Sequence, residues 1–193
     1  MSETSERLLD VAQELVQQRG FNAFSFRDLA KRLEITNAGI HYHFPTKAAL
    51  GQALVKRYSQ NFLQALSQVD MQAKNAVGRL DGLSGIYKDA LKAGRFCLCG
   101  MMASDSLTLP SEVLGEVQNF FGAVEQWVSR VLVDGKEDGE LAFDAASEEE
   151  AKFFVAAIEG AMLTAWPILS VDTGKALAQF DTLAKRLSQS FLA

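Results

Sequence analysis

Two pairs of residues stand out by chemical type, and each pair has a spacing of two: His41 with His43, and Cys97 with Cys99. Imidazoles ligate metals, but residues two apart on a helix point to different faces, so no metal site is expected from them. Thiolates attack electrophiles and peroxides, yet Cys-x-Cys on a helix separates the sulfurs and disfavours a bond between them. No catalytic constellation accompanies either pair. Gly78, Gly82 and Gly85 lack the spacing of a phosphate-binding loop, and the stretch DGKEDG at 134–139 lacks that of a calcium loop. The acidic run Glu148–Glu150 reads more simply as a partner for a helix dipole. The chain is therefore not expected to be an enzyme or to carry a metal or cofactor.

A different chemistry surrounds the histidines. Ser25–Phe44 reads SFRDLAKRLEITNAGIHYHF. Ser25 is a good N-cap, with Asp28 at the third helical position, and a helix is expected over 26–33. Thr36 caps a second short helix over 37–43, which Pro45 stops. Two short helices with a tight turn form a helix-turn-helix, with small Ala30 facing the second helix. Ile40 and Phe44 point inward. That leaves Thr36, Asn37, Gly39 and His41 for a groove. Asn37 can pair with an adenine edge, Thr36 can bond a base or phosphate, and Gly39 lets the backbone approach closely. Arg27, His41, Tyr42, His43 and Lys47 can supply phosphate contacts. The competing reading is that the helices merely pack and that Tyr42 and the histidines are ordinary surface residues.

Charge favours the first reading. The 193 residues carry a net charge of -5, but residues 1–58 hold eight Lys/Arg against six Asp/Glu. Residues 59–193 hold eleven against eighteen. A basic head on an acidic body suggests two modules with different partners.

The elements that position these residues are expected to be helices throughout, about nine in an all-α fold. Apolar residues make up 48%, charged residues 22%, and there are three prolines. Leu8, Leu9, Ala12, Leu15 and Val16 set a helix over 4–19, which Gly20 ends. Further helices are expected over 47–68, 72–93 and 95–106, from Pro110 to Gly135, and over 148–169 and 173–191. Residues 136–146 read as a loop. Ser147 with Glu150 resembles a capping box, and Asp172 or Thr173 caps the last helix. No run reaches the roughly 18–20 apolar residues of a membrane span, and the polar start MSETSER is unlike a signal peptide. Two close cysteines cannot staple a secreted domain, so a reducing cytoplasm is expected.

Residues 8–62 resemble the N-terminal domain of TetR/AcrR-type transcriptional regulators. The resemblance rests on Gly20 after the first helix, the capping Ser25, and Tyr42-x-Phe44 before the Pro45/Lys47 turn. Glu34 departs from the pattern by replacing the glycine that most members have in the turn. The resemblance implies that Ser25, Arg27, Tyr42, His43 and Lys47 hold phosphates and that Thr36, Asn37, Gly39 and His41 sit at the groove. The stretch RFCLCGMMASDSLTLPSEVLGEVQNFF, with Trp127 after it, is similar to a subgroup whose sixth helix carries a Cys-Leu-x-Gly motif, which implies architecture and not a ligand.

The expected organisation is a DNA-binding domain over 1–46, with its helix-turn-helix at 25–44, and a regulatory and dimerisation domain over 47–193. The expected function is a homodimeric, ligand-responsive regulator. It is read as a repressor that a small hydrophobic effector releases from a near-palindromic operator, without a membrane partner. An activator of the same fold, or a small helical enzyme or carrier with a vestigial head, are the alternatives. Met101, Phe121, Trp127, Phe154 and Trp166 are candidate pocket walls, although rings at helical spacing also suit a plain core. Ala157, Gly160, Ala161 and Ala165 would let helices of two chains approach, with Phe180, Leu187 and Phe191 as an apolar stripe. Cys97 is expected to be buried beside Met101 and Cys99 to face another surface. Both are candidate redox sensors, but the favoured reading is that they are small core residues.

Overall fold

A computed structural model describes residues 2–192. Among these there are nine helices and no strand: α1 (Glu3–Arg19), α2 (Phe26–Leu33), α3 (Asn37–His43), α4 (Lys47–Gln72), α5 (Ala76–Lys92), α6 (Leu98–Ser104), α7 (Ser111–Glu137), α8 (Ser147–Leu169) and α9 (Thr173–Gln189). The only extended pairing among the described residues is an isolated antiparallel bridge between Leu141 and Leu192. The chain divides into two compact units, Met1–Gln60 with Cys97–Phe120, and Asn61–Phe96 with Phe121–Ala193.

The first unit is built on α1. Its Leu8, Leu9, Ala12, Leu15 and Val16 are buried, as their helical spacing requires. Gly20 ends the helix at φ +88, a backbone conformation that L side chains rarely adopt, so the chain can turn sharply into Phe21 and Phe24. Those two rings meet edge to face at 5.9 Å. The short helices depend on this core: the only buried residue of α2 is Leu29, and that of α3 is Ile40. Arg57 ties α4 to α1, donating to Glu6 Oε2 at 3.0 Å and Asp10 Oδ1 at 2.8 Å.

In the second unit α8 and α9 pack side by side, and α5 packs on both. Ser188 donates to Asp81 at 2.6 Å, and Lys88 pairs with Asp181 at 2.5 Å. Trp127 Nε1 donates to Asp70 at 2.9 Å, which satisfies its one polar atom.

Four expectations need correction here. The residue that caps α8 is Ala146, without a side-chain bond, so Ser147 and Glu150 form no capping box; both already lie inside the helix. Phe180 and Phe191 are not an exposed stripe: they are 1% and 3% exposed, facing inward, while Phe153, Leu163 and Leu183 are the exposed residues at 58%, 61% and 41%. Cys99 does not face a surface; it is buried, like Cys97. Finally, α8 is long and apolar enough by composition to cross a membrane, with a mean hydropathy of 1.4 over 18 residues. The sequence hides this because Glu159 interrupts the run. One third of that window is buried within the protein.

Candidate nucleic-acid interface

The turn between α2 and α3 is fixed by backbone geometry. Glu34 closes α2 in the left-handed region at φ 55, ψ 39, a conformation that favours glycine; a side chain there costs about 1 kcal/mol. Thr36 then caps α3, its Oγ1 accepting from Gly39 N at 3.1 Å. With Ile40 fully buried and Phe44 6% exposed beneath the helix, the opposite face is turned outward. Thr36, Asn37, Ala38, His41 and Tyr42 are exposed, and Gly39 and His43 are half-buried. The phenol ring of Tyr42 is 84% exposed, an unusual state for so large a ring.

The flanking residues behave less uniformly. His41 Nδ1 lies 3.1 Å from Pro45 O, and its ring meets Phe26 edge to face at 5.0 Å, which fixes its orientation. Tyr42 and His43 make a similar contact at 5.1 Å. Arg27 is exposed. The ammonium of Lys47 does not extend to solvent. It donates to Phe24 O at 2.5 Å and lies over the Phe21 and Phe24 rings at 4.7 and 4.4 Å. Burial pushes its pKa down, and the carboxylates of Asp105 and Asp28 pull it back up.

Ser25 is exposed, but its polar atoms are taken up locally. Both its hydroxyl and its N–H donate to Asp28 Oδ2 at 2.7 Å. The hydroxyl bond, then the backbone bond, hold the Asp28 carboxyl below its usual 3.8, with a smaller pull from Arg19. A carboxyl depressed in the folded state stabilises above its unfolded pKa, and that contribution is lost as pH falls through the folded value. Asp28→Asn is therefore expected to lower the melting temperature at pH 7. The difference from wild type should close as the pH is taken below 3.8. A gap that is independent of pH would show that the capping carboxylate contributes nothing as an anion.

Among the candidate effector residues, Trp127 and Phe154 are fully buried, and Phe121 and Trp166 are half-buried. All four belong to the second unit, where Trp166 meets Phe96 edge to face at 5.5 Å. Met101 lies on α6 in the first unit. Cys97 is the N-cap of α6: its sulfur accepts from Gly100 N at 3.4 Å and from the Tyr58 hydroxyl at 3.8 Å. Among the described residues no group of three or more His, Cys, Asp or Glu side chains is placed to hold a metal ion.

Residues 8–54 match the model of the bacterial regulatory proteins of the tetR family. A TetR-family regulator from Agrobacterium tumefaciens superposes with a TM-score of 0.90 at 27% identity, over 98% of this chain and 97% of that one. Residues 8–54 thus carry the N-terminal domain of the tetR family of bacterial regulatory proteins. It is similar to the transcriptional repressor DhaR of Mycobacterium sp. (strain GP1), at 24% identity over 82% of this chain and 80% of that protein. It is also similar to the repressor NemR of Escherichia coli K12, at 26% identity over 84% of each. TetR-family regulators bind DNA and small-molecule effectors and form dimers. The chain is a ligand-responsive, DNA-binding transcriptional regulator with an N-terminal helix-turn-helix domain.

One feature of this site has no local sequence signal. Asp105, which follows α6, accepts hydrogen bonds from Phe21 N at 3.1 Å and Asn22 N at 3.3 Å. It stands 84 residues from Phe21, so no periodicity or motif links the two.

Proposed function

We propose that the chain is a repressor whose α3 enters the major groove and which an apolar effector releases from DNA. The observation that carries this reading is the exposed face of Thr36, Asn37, His41 and Tyr42 over an inward-pinned Ile40. The similarity to the transcriptional repressors DhaR and NemR supports repression over activation. In this reading residues 1–46 bind DNA and 47–193 regulate and dimerise. Asn37 and Thr36 read base edges, with Gly39 allowing close approach and His41 beside them. Ser25, Arg27, Tyr42 and His43 face phosphates. Lys47 contributes its charge and holds the turn through the Phe24 carbonyl, so Lys47→Ala acts on every sequence alike.

The test is selection from a random duplex library followed by titration across salt. The expected product is a near-palindrome with half-site centres about 10–10.5 base pairs, or a multiple, apart. Asn37→Ala is expected to cost about 1–3 kcal/mol at one base position and leave affinity for other sequences unchanged. Recovery of no enriched sequence, or binding without salt dependence, would refute the reading.

The effector is proposed to be a neutral or cationic apolar compound, recognised by Phe121, Trp127, Phe154 and Trp166. Large rings suit such a ligand, and the acidic body disfavours anions. A panel of such compounds should quench tryptophan fluorescence and release the selected duplex at matching concentrations. Non-covalent release is favoured over thiol sensing because Cys97 and Cys99 are buried, at 1% and 0% exposure, whereas reactive thiols need access.

A further inference from the structure

We propose that His41 is a specificity-determining residue that presents a hydrogen-bond acceptor to the groove, and so selects a base amino group, adenine N6 or cytosine N4. This rests on the DNA-binding reading above and fixes the polarity of one contact within it. A neutral imidazole has one N–H and one lone pair, and the partner of one nitrogen decides the role of the other. His41 Nδ1 lies 3.1 Å from Pro45 O. A carbonyl oxygen has no hydrogen to give, so Nδ1 is the donor and Nε2 is left as the acceptor. With its one N–H committed to the carbonyl, the neutral ring has none to offer guanine O6, guanine N7 or a phosphate oxygen.

Both members of that bond are held in place. The hydrogen-bond ladder of α4 starts at Thr46, whose carbonyl accepts from Leu50 N at 3.1 Å and whose Oγ1 accepts from Ala49 N at 3.0 Å. Pro45 O stands one residue before that ladder, next to its cap and outside its bonding pattern. The ring is fixed from another side by Phe26, which it meets edge to face at 5.0 Å. A half-turn of the imidazole would set Cδ2 against the carbonyl and lose the bond.

The place of His41 on α3 suits an acceptor that reads bases. It follows Asn37 by four residues, so it lies on the same outward face one turn further along. Ile40 beside it is fully buried, whereas His41 is exposed. Among the described residues Nε2 has no hydrogen-bond partner. In the major groove the donors open to such a lone pair are adenine N6 and cytosine N4; guanine offers acceptors only, and thymine an acceptor and a methyl group. Asn37 differs, because its amide carries a donor and an acceptor and can take adenine N6 and N7 together.

Two measurements test the assignment. In the free protein at about pH 8, which keeps an imidazole neutral, a long-range proton–nitrogen correlation spectrum should place the His41 hydrogen on Nδ1. The chain has only two histidines, so His41→Ala identifies the signals. On the selected duplex, each adenine is replaced in turn by 2-aminopurine and each cytosine by 2-pyrimidinone, which lack the major-groove amino group. One replacement is expected to weaken wild type by about three- to tenfold and to leave His41→Ala unaffected. His41→Phe, which keeps a ring against Phe26 without a nitrogen, should behave as His41→Ala does; a merely packing role would instead be rescued by it. Replacing adenine or guanine by its 7-deaza form, which removes the N7 acceptor, should weaken wild type and His41→Ala equally. A hydrogen on Nε2 overturns the proposal, as does a difference between wild type and His41→Ala at a 7-deaza position, or at no amino position. Wild type that enriches no duplex overturns the DNA-binding reading, and this proposal with it.

Discussion

Leu183→Glu is expected to convert a dimer into a monomer at micromolar concentration, and to weaken operator binding by about a hundredfold or more as the two heads stop acting together. Leu183 lies on α9, beside a groove of about 500 Å³ whose walls include Phe153, Ala157, Gly160, Thr164 and Leu187. Phe153, Leu163 and Leu183 are large apolar residues exposed on α8 and α9, and clustered exposed apolar side chains mark interaction sites. The half-buried Ala157 and Gly160 allow a second helix to come close. In a two-fold interface every substitution occurs twice, so glutamate at 183 would place two desolvated like charges near the axis. The fold itself should survive, because the core of α9 is made by Ala176, Phe180 and Ala184 on the other side. Light scattering and anisotropy on the selected duplex measure the two effects. A variant that stays dimeric with unchanged affinity would move the interface elsewhere on the protein.

The signals that worked in the sequence are those in which a residue satisfies its own neighbourhood. Ser25 with Asp28, Thr36 before α3 and Asp172 before α9 were readable because a cap acts within one helical turn. The core of α1 was readable because its spacing names one face. The signals that failed depend on partners far along the chain. Phe180 and Phe191 are apolar at helical spacing whether they meet their own core or a second chain, so pattern alone assigned them to the wrong surface. Gly78, Gly82 and Gly85 are poor helix formers, yet they lie inside an unbroken α5. At Gly82 a Cβ would stand 2.4 Å from Val69, so the residue is there to admit a neighbouring helix. The lysine at 47 carried the signature of a phosphate contact, but aromatic faces and a carbonyl 23 residues away draw its ammonium inward. Asp105 was invisible for the same reason.

The second large effect is expected from Ile40→Ala, which should open the recognition helix. At seven residues α3 is far below the roughly 12–15 that an isolated helix needs, so its stability comes from packing. That packing reduces to Ile40, fully buried, with Phe44 just beyond the C-terminal end. Truncation of a buried isoleucine to alanine costs about 2–5 kcal/mol, and here no second buried residue of the helix shares the loss. Amide exchange at Gly39–Phe44 is expected to accelerate by about thirtyfold or more, since 1.4 kcal/mol is a factor of ten. Ile40→Val should cost only about 0.5–1.5 kcal/mol and shift exchange correspondingly less. DNA affinity falls by the fraction of heads that are open, and saturating duplex should return the protection, because binding selects the ordered helix. If α3 of Ile40→Ala stays as protected as wild type, the helix is held by something other than its one buried side chain. The outward-facing residues would then owe their orientation to a constraint other than the burial of Ile40.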